Sequence, residues 1–220
     1  MASRGNPTDA RQSAPRLYLM TPQVADPARA RDALAAALAD ADVAAVLLRL
    51  AAADERSQIN CAKALAPVVQ DRGAALLLDG CPDIVARSGA DGAHLTGVDA
   101  FQGALATLKP ARIAGCGGLT TRHDAMVAAE SGADYVMFGE PDERRHRPSF
   151  EAVVERVAWW AEVFEVPCVG YAGAMDEVAP LAAAGAEFVA LGDWIFAHER
   201  GPATAVAEAV RQLAPAEIPG

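Results

Sequence analysis

The segment AALLLDGCPDIVARSGADGAHL, residues 74–95, contains one full unit of the pattern that decides the fold. An apolar run at 74–78 is followed by Asp79-Gly80, a helix-like stretch at 82–88 and a second apolar run at 91–95. Most of the chain's runs of this kind, AALLL among them, are too uniformly apolar for strands with one exposed face, which indicates buried parallel strands. The segment is therefore typical of a strand–helix–strand unit of an α/β protein.

This unit recurs along the chain, with Gly-Ala-Asp or Gly-Ala-Glu again preceding two later strands. The predicted strands are 16–20, 43–48, 74–78, 91–95, 111–114, 134–138, 167–170 and 187–191. The predicted helices are 27–39, 57–71, 82–88, 99–108, 121–131, 149–164, 175–184 and 203–213. The glycine repeat would also suit an open doubly wound sheet, but the count of eight favours a single-domain (β/α)8 TIM barrel. We expect a disordered N-terminal arm at 1–15, the barrel at 16–214 and a C-terminal tail at 215–220.

Composition narrows the range of partners. The chain has 220 residues, of which 52% are hydrophobic, and a formal net charge of −10. Such an acidic chain argues against nonspecific binding to nucleic acid or anionic membranes. No apolar run approaches the ~20 residues of a membrane span. The four cysteines form no C-x-x-C pair and the first 15 residues lack the apolar stretch of a signal peptide. We therefore expect a cytoplasmic protein with reduced thiols.

The active site of a barrel lies at the carboxyl ends of its strands, so the residues after each run are the candidates. Two glycine-rich loops stand out, at 115–121 and 170–174. Glycine lets backbone N–H groups approach an anion, and a helix start adds its positive dipole end. A tight chain reversal is the alternative explanation. The glycines predicted to bind phosphate are Gly117, Gly118, Gly170, Gly173 and Gly192.

Two carboxylates follow neighbouring strands. Asp79 comes at the end of strand three and Asp99 a few residues after strand four. Carboxylates of this kind suit Mg²⁺, which binds through one or two of them plus substrate phosphates. The alternative is that Asp79 belongs to a turn and Asp99 caps a helix. His94, at the end of strand four, is interpreted as a packing or capping residue rather than a proton-transfer group.

The densest positive charge of this acidic chain follows strand six, where Arg144, Arg145 and Arg147 surround His146. At the mouth of a barrel such a cluster favours anion binding. A solvated charged loop is the alternative, with Glu140, Asp142 and Glu143 close enough in sequence to neutralise the arginines.

Several of these strand ends resemble one family. Residues 90–99, ADGAHLTGVD, resemble the motif aDGvHlgqeD, and residues 132–139, GADYVMFG, resemble gaDYvgfGp. The pieces 17–19, 115–117 and 169–173 fall in the matching order and spacing. The chain is thereby identified, over about residues 16–197, as similar to the thiamine phosphate synthase/TenI superfamily.

The resemblance implies a (β/α)8 barrel enzyme that joins a hydroxymethylpyrimidine diphosphate to a thiazole phosphate, with Mg²⁺ and release of pyrophosphate. Asp79 and Asp99 match the two metal-binding aspartates, and Arg49 matches the diphosphate-binding arginine. Gly170 and Gly173 would lie in the thiazole-phosphate loop. The implied partner is a small phosphorylated heterocycle, and a homodimer is the assembly expected.

The chain also departs from the family pattern. The substituted positions are the Gln and Lys of strand two, the Asn before the metal aspartate, the Ser after strand five and the tautomerase His, now Leu47, Ala51, Leu78, Gly117 and Leu119. The lysine-bearing stretch after strand six is replaced by 140–147, whose arginines could substitute for the lost lysines.

These departures leave three hypotheses. The first is a transferase of thiamine biosynthesis, a thiamine phosphate synthase or a close relative. The second is a diverged non-catalytic or TenI-like paralog that binds a thiamine-related or other phosphorylated ligand. The third is a barrel isomerase acting on a phosphosugar-type substrate.

Overall fold

The computed structural model describes residues 14–142 and 144–213, which form a closed barrel of eight parallel strands. The strands are β1 Arg16–Met20, β2 Val43–Leu48, β3 Ala75–Asp79, β4 Gly92–Thr96, β5 Ile113–Gly117, β6 Tyr135–Phe138, β7 Cys168–Ala172 and β8 Phe188–Leu191. Each strand pairs with its successor, and β8 pairs with β1 to close the ring. The predicted (β/α)8 barrel is confirmed. The predicted arm, apart from residues 14 and 15, and the tail at 215–220 lie outside the described residues.

Eight α-helices surround the strands. They are α1 Pro27–Ala37, α2 Glu55–Gln70, α3 Val85–Ser88, α4 Val98–Leu108, α5 Arg122–Glu130, α6 Phe150–Val163, α7 Val178–Ala183 and α8 Pro202–Leu213. Side-chain caps fix where several of them begin. Asp54 accepts a hydrogen bond from the Ser57 N–H at 3.0 Å, and Thr121 forms a reciprocal capping box with Asp124. These caps satisfy N–H groups that the first helical turn leaves without partners. Within the described ranges no helix is long and apolar enough to cross a membrane.

Most predicted bounds differ from the observed ones by up to three residues, and the differences at two strands and two helices have a physical reason. β5 extends through Gly115 and Gly117, which were predicted as loop, and β7 extends two residues beyond the predicted end to Ala172. Glycine is required inside β5 because a Cβ atom on Gly115 would overlap the ring of Tyr135. The predicted helices 82–88 and 175–184 each begin as a short 3-10 turn, Pro82–Ile84 and Met175–Glu177, before α3 and α7.

The chain builds two apolar layers, as the alternation of side chains along barrel strands requires. The larger layer lies between strands and helices and includes Leu17, Leu19 and Trp160. The smaller fills the barrel and contains Tyr18, Met20, Ala45, Leu47, Leu77, Tyr135, Met137, Val169, Tyr171 and Ala190. All three tyrosines of the chain belong to this interior layer, so polar hydroxyls lie beneath the barrel mouth.

Candidate active site at the barrel mouth

An arginine flanked by two aspartates marks one side of the mouth. Arg49 follows β2, Asp79 ends β3, and Asp193 follows β8. The Nε atom of Arg49 lies 3.5 Å from Oδ2 of Asp79, and its Nη1 lies 3.9 Å from Oδ2 of Asp193. About a third of each side chain is exposed, which leaves the group open to a ligand. Burial raises the pKa of Asp79, and Arg49 partly offsets that effect.

The structure therefore brings together Arg49 and Asp79, two of the residues singled out in the sequence. Asp193 joins them although it was not among the candidates. Its only sequence signal was a position directly after β8, where any polar residue of a barrel faces the mouth.

Asp99 lies exposed in the first turn of α4, on the strand-end side of β4. It does not cap that helix, because Gly97 occupies the N-cap position and no side chain caps α4. The capping explanation for Asp99 is therefore wrong. A carboxylate in the first turn still interacts favourably with the helix dipole.

The carboxylate oxygens of Asp79 and Asp99 are the donors that Mg²⁺ prefers. The described residues contain no cluster of three or more His, Cys, Asp or Glu side chains suited to a metal. Mg²⁺ commonly binds through one or two carboxylates and completes its shell with water and substrate phosphate. Asp79 ends β3, Asp99 follows the adjacent strand β4, and both supply donors of that kind. Their role in holding the metal stays a prediction.

The loop after β7 already holds an anion, but the anion is a side chain of the protein. The Gly173 N–H donates to Oε2 of Glu177 at 2.6 Å. Arg147 completes the arrangement from the strand-six loop, its Nη1 donating to both carboxylate oxygens of Glu177 at 2.8 and 3.0 Å. Its Nη2 donates to the Tyr171 carbonyl at 3.3 Å, and its guanidinium lies 5.3 Å from the Tyr171 ring centre.

Arg147 is thus the arginine of the cluster that reaches the predicted phosphate loop. Its Nε is buried and has no hydrogen-bond partner among the residues described. Arg144 and Arg145 are exposed. Arg147 pairs with Glu177 and not with Asp142, an acidic residue near it in sequence. Asp142 instead shapes the loop by accepting the N–H groups of Arg144 and His146 at 2.8 Å each.

The remaining predicted glycines of this side serve packing in the structure. Gly170 lies within β7, where a Cβ atom would press on Leu181 at 2.9 Å. A Cβ atom on Gly192 would overlap the hydroxyl of Tyr171. Phosphate binding by Gly170 and Gly192 stays a prediction.

The loop after β5 likewise binds a carboxylate of the protein itself. The Gly118 N–H donates to Oε1 of Glu140, which follows β6. A Cβ atom on Gly117 would overlap that oxygen and would lie 2.6 Å from Nε2 of His94. Position 117 must therefore be glycine while Glu140 has this conformation. In this structure the Gly118 N–H donates to Glu140. Phosphate binding by Gly117 and Gly118 therefore stays a prediction.

This contact couples two departures from the family motifs. Gly117 stands where the family has serine, and Glu140 stands where the motif gaDYvgfGp has proline. Any side chain at 117 would collide with the Glu140 carboxyl group. Glu140 was missed as a site residue in the sequence, although an acidic residue at that proline position was the signal.

Beneath Glu140 lies a chain of buried hydrogen bonds. Nδ1 of His94 lies 3.0 Å from the Tyr135 hydroxyl, which lies 2.9 Å from the Tyr18 hydroxyl. The His94 ring stacks on Tyr135 at 5.7 Å, in agreement with its interpretation as a packing residue. Burial lowers the pKa of His94 to about 4 and raises the pKa of Glu140 to about 7.

The fold and this mouth define a (β/α)8 barrel protein with arginines, carboxylates and glycine-rich loops at the strand ends. A family profile described as thiamine monophosphate synthase (TMP-TENI) matches residues 17–195. The chain belongs to this thiamine monophosphate synthase family.

Individual relatives agree with that membership. The chain is 43% identical over 197 residues to a thiamine-phosphate synthase of Rhodospirillum centenum, covering 88% of this chain and 95% of the relative. It is 36% identical to a thiamine-phosphate synthase of Hyphomonas neptunium, covering 90% and 95%. A solved thiamine phosphate pyrophosphorylase from Pyrococcus furiosus superposes with a TM-score of 0.76 at 22% identity, covering 93% of this chain and 97% of the other. That likeness concerns the fold alone.

Proposed function

We propose that this protein is a thiamine-phosphate synthase, a transferase that joins a hydroxymethylpyrimidine diphosphate to a thiazole phosphate in thiamine biosynthesis. The observation that carries the proposal is the 43% identity to a synthase of which 95% is covered. The proposal keeps the cytoplasmic location expected from the sequence. The homodimer stays a prediction for sedimentation analysis.

In this proposal the diphosphate binds at Arg49. A guanidinium can donate two parallel hydrogen bonds to phosphate oxygens, and Asp79 and Asp193 hold Arg49 in place for that contact. Mg²⁺ held by Asp79 and Asp99 would neutralise charge that develops on the leaving diphosphate. Arg49 adds fixed positive charge to the same end of the substrate.

The thiazole phosphate binds in the loop after β7. Glu177 occupies that position in the structure, with its carboxylate on the Gly173 N–H and on Arg147. A phosphate group needs the same donors, so it would displace the carboxylate and take over both contacts. Arg147 thereby replaces the basic function of the lysines that the family has after strand six, on the thiazole-phosphate side of the mouth.

The direct test mixes purified protein with the two substrates and Mg²⁺ and measures thiamine phosphate by chromatography. Formation of product with release of one pyrophosphate per turnover is the expected result. Binding of Mg²⁺-pyrophosphate without product would instead support the non-catalytic paralog. Absence of both would refute the proposed function.

Arg147 provides the sharper test. Arg147→Ala should raise the KM for the thiazole phosphate about 10- to 100-fold, because a charge-assisted hydrogen-bonded contact is lost. The KM for the pyrimidine diphosphate should change less than about twofold. Arg144→Ala removes the same charge from an exposed position of the same loop and serves as the matched control. Equal effects of the two substitutions would contradict the assigned role of Arg147.

A further inference from the structure

Glu140 is a partly buried carboxylate at the mouth that has no cation within ion-pair distance among the described residues. Its Oε1 accepts the Gly118 N–H, and neither carboxylate oxygen forms an ion pair. A buried carboxylate without a cation gains from a further hydrogen-bond donor. The arrangement therefore suits a ligand that brings an N–H group to the second oxygen.

The surroundings of Glu140 supply no alternative donor of full charge. His94 beside it is neutral at physiological pH, because burial lowers its pKa to about 4. Arg156 on α6 donates to the carbonyl groups of Leu119 and Thr120, at 2.6 and 3.1 Å, so its positive charge acts on Glu140 only without direct contact. Asp79 contributes negative charge, and Tyr18 and Tyr135 hydrogen bond to each other.

This polarity disfavours a phosphate group directly against Glu140. A phosphate offers acceptor oxygens and negative charge, and both repel a carboxylate. The phosphates belong with Arg49 and Arg147 instead. The part of the mouth between β5 and β6 is left for the uncharged portion of a substrate, which must carry a hydrogen-bond donor.

We infer that Glu140 is a specificity-determining residue that binds an amino-substituted pyrimidine ring, its second carboxyl oxygen accepting a hydrogen bond from the amino group. This inference rests on the proposed function for the identity of the heterocycle. Gly117 contributes to this binding arrangement, because only glycine at that position leaves room for the Glu140 carboxyl group.

The test is calorimetry on the full chain with Mg²⁺. The probes are hydroxymethylpyrimidine diphosphate carrying a ring amino group and the same compound with hydrogen in place of that amino group. Wild-type protein should prefer the amino compound by about 10- to 100-fold. Without the amino group, the second carboxyl oxygen of Glu140 has no hydrogen-bond donor from the bound ligand. Glu140→Ala should abolish the preference.

Two further measurements separate recognition from general damage. Glu140→Ala should bind Mg²⁺-pyrophosphate within about twofold of wild type, because the diphosphate contacts remain. Glu151→Ala, which removes an exposed glutamate from α6, should leave both the preference and the pyrophosphate affinity unchanged. If the alanine variant does not fold, Glu140→Gln replaces it. The amide oxygen of the glutamine can still accept the Gly118 N–H, but its NH2 group then faces the amino group of the probe, so that two donors meet. Glu140→Gln should therefore also lose the preference.

The inference fails if wild type binds the two compounds equally or neither of them, or if a folded Glu140 variant keeps the preference. The proposed function fails separately, through absence of thiamine phosphate in the activity assay. A wild-type protein that discriminates between the two probes without turning them over would retain the binding role of Glu140 and lose only the synthase activity.

Discussion

The loops after β5 and β7 use the same backbone device with opposite electrostatics. In each, a glycine N–H near the strand end donates to a carboxylate of the chain, Gly118 to Glu140 and Gly173 to Glu177. Glu177 is also paired with Arg147 at 2.8 Å, whereas Glu140 forms no ion pair with a described residue and burial raises its pKa to about 7. An N–H group therefore predicts an anion at both places but does not say which anion belongs there.

The arginine distinguishes the two loops. At Gly173 a phosphate can replace Glu177 and inherit the donors of Gly173 and Arg147. At Gly118 a phosphate would gain one N–H donor, but it would have no arginine in the position of Arg147 to balance its charge. The comparison predicts a phosphate at the β7 loop and a neutral donor group at the β5 loop.

The largest expected effect tests the packing of the β5 loop. Gly117→Ser should lower the free energy of unfolding by about 3 kcal/mol, because the new side chain collides with Glu140. Gly103→Ser is the matched control, since a Cβ atom there meets nothing within 4 Å. Chemical denaturation provides the measurement. In a Glu140→Ala background the cost of Gly117→Ser should fall, and an unchanged cost would show that Glu140 is not the obstacle.

The pH dependence of stability tests the unpaired charge. Because the folded protein holds the Glu140 proton more tightly than the unfolded chain, with a pKa of about 7 against 4.5, this group contributes stability below pH 4.5. That stability is lost as the pH rises through about 7, and Glu140→Gln removes the effect. We expect the variant to gain about 2 kcal/mol relative to wild type between pH 4.5 and 8.

His94 acts in the opposite direction, because its lowered pKa makes the folded state lose stability as the pH falls from about 6.5 to about 4. It is present in both proteins, so the difference between wild type and Glu140→Gln cancels its contribution. Denaturation at pH 4.5, 6 and 8, with Glu151→Gln as control, checks the prediction. A difference that does not grow with pH would contradict the raised pKa.

The smallest expected effect concerns the β7 loop. Glu177→Ala should increase the affinity for inorganic phosphate about tenfold, because Gly173 and Arg147 lose their internal competitor. Asp176→Ala removes the same charge from an exposed neighbour in the same turn and should have little effect. Calorimetry with phosphate measures both. Equal gains in the two variants would reduce the effect to net charge and remove the argument for displacement.

The sequence by itself determined the architecture and the location of the site. Eight mostly apolar runs separated by helical stretches indicate buried parallel strands, and a closed ring of eight places every strand end at one mouth. Arg49 and Asp79 could be selected from their positions after β2 and β3, and they lie together. The predicted end of β5 was wrong at Gly115, because a glycine that makes room for Tyr135 is indistinguishable in sequence from a glycine of a loop.

Only the tertiary structure decided which charges meet. Arg147 pairs with Glu177, 30 residues away, rather than with the nearby Asp142, and Glu140 turns to Gly118 across the mouth. Side-chain direction at a barrel mouth depends on how loops from different strands face each other after closure, which local spacing does not encode. The electrostatic difference between the two glycine loops arises from those long-range contacts, because a carboxylate is neutralised by proximity in space and not by proximity along the chain.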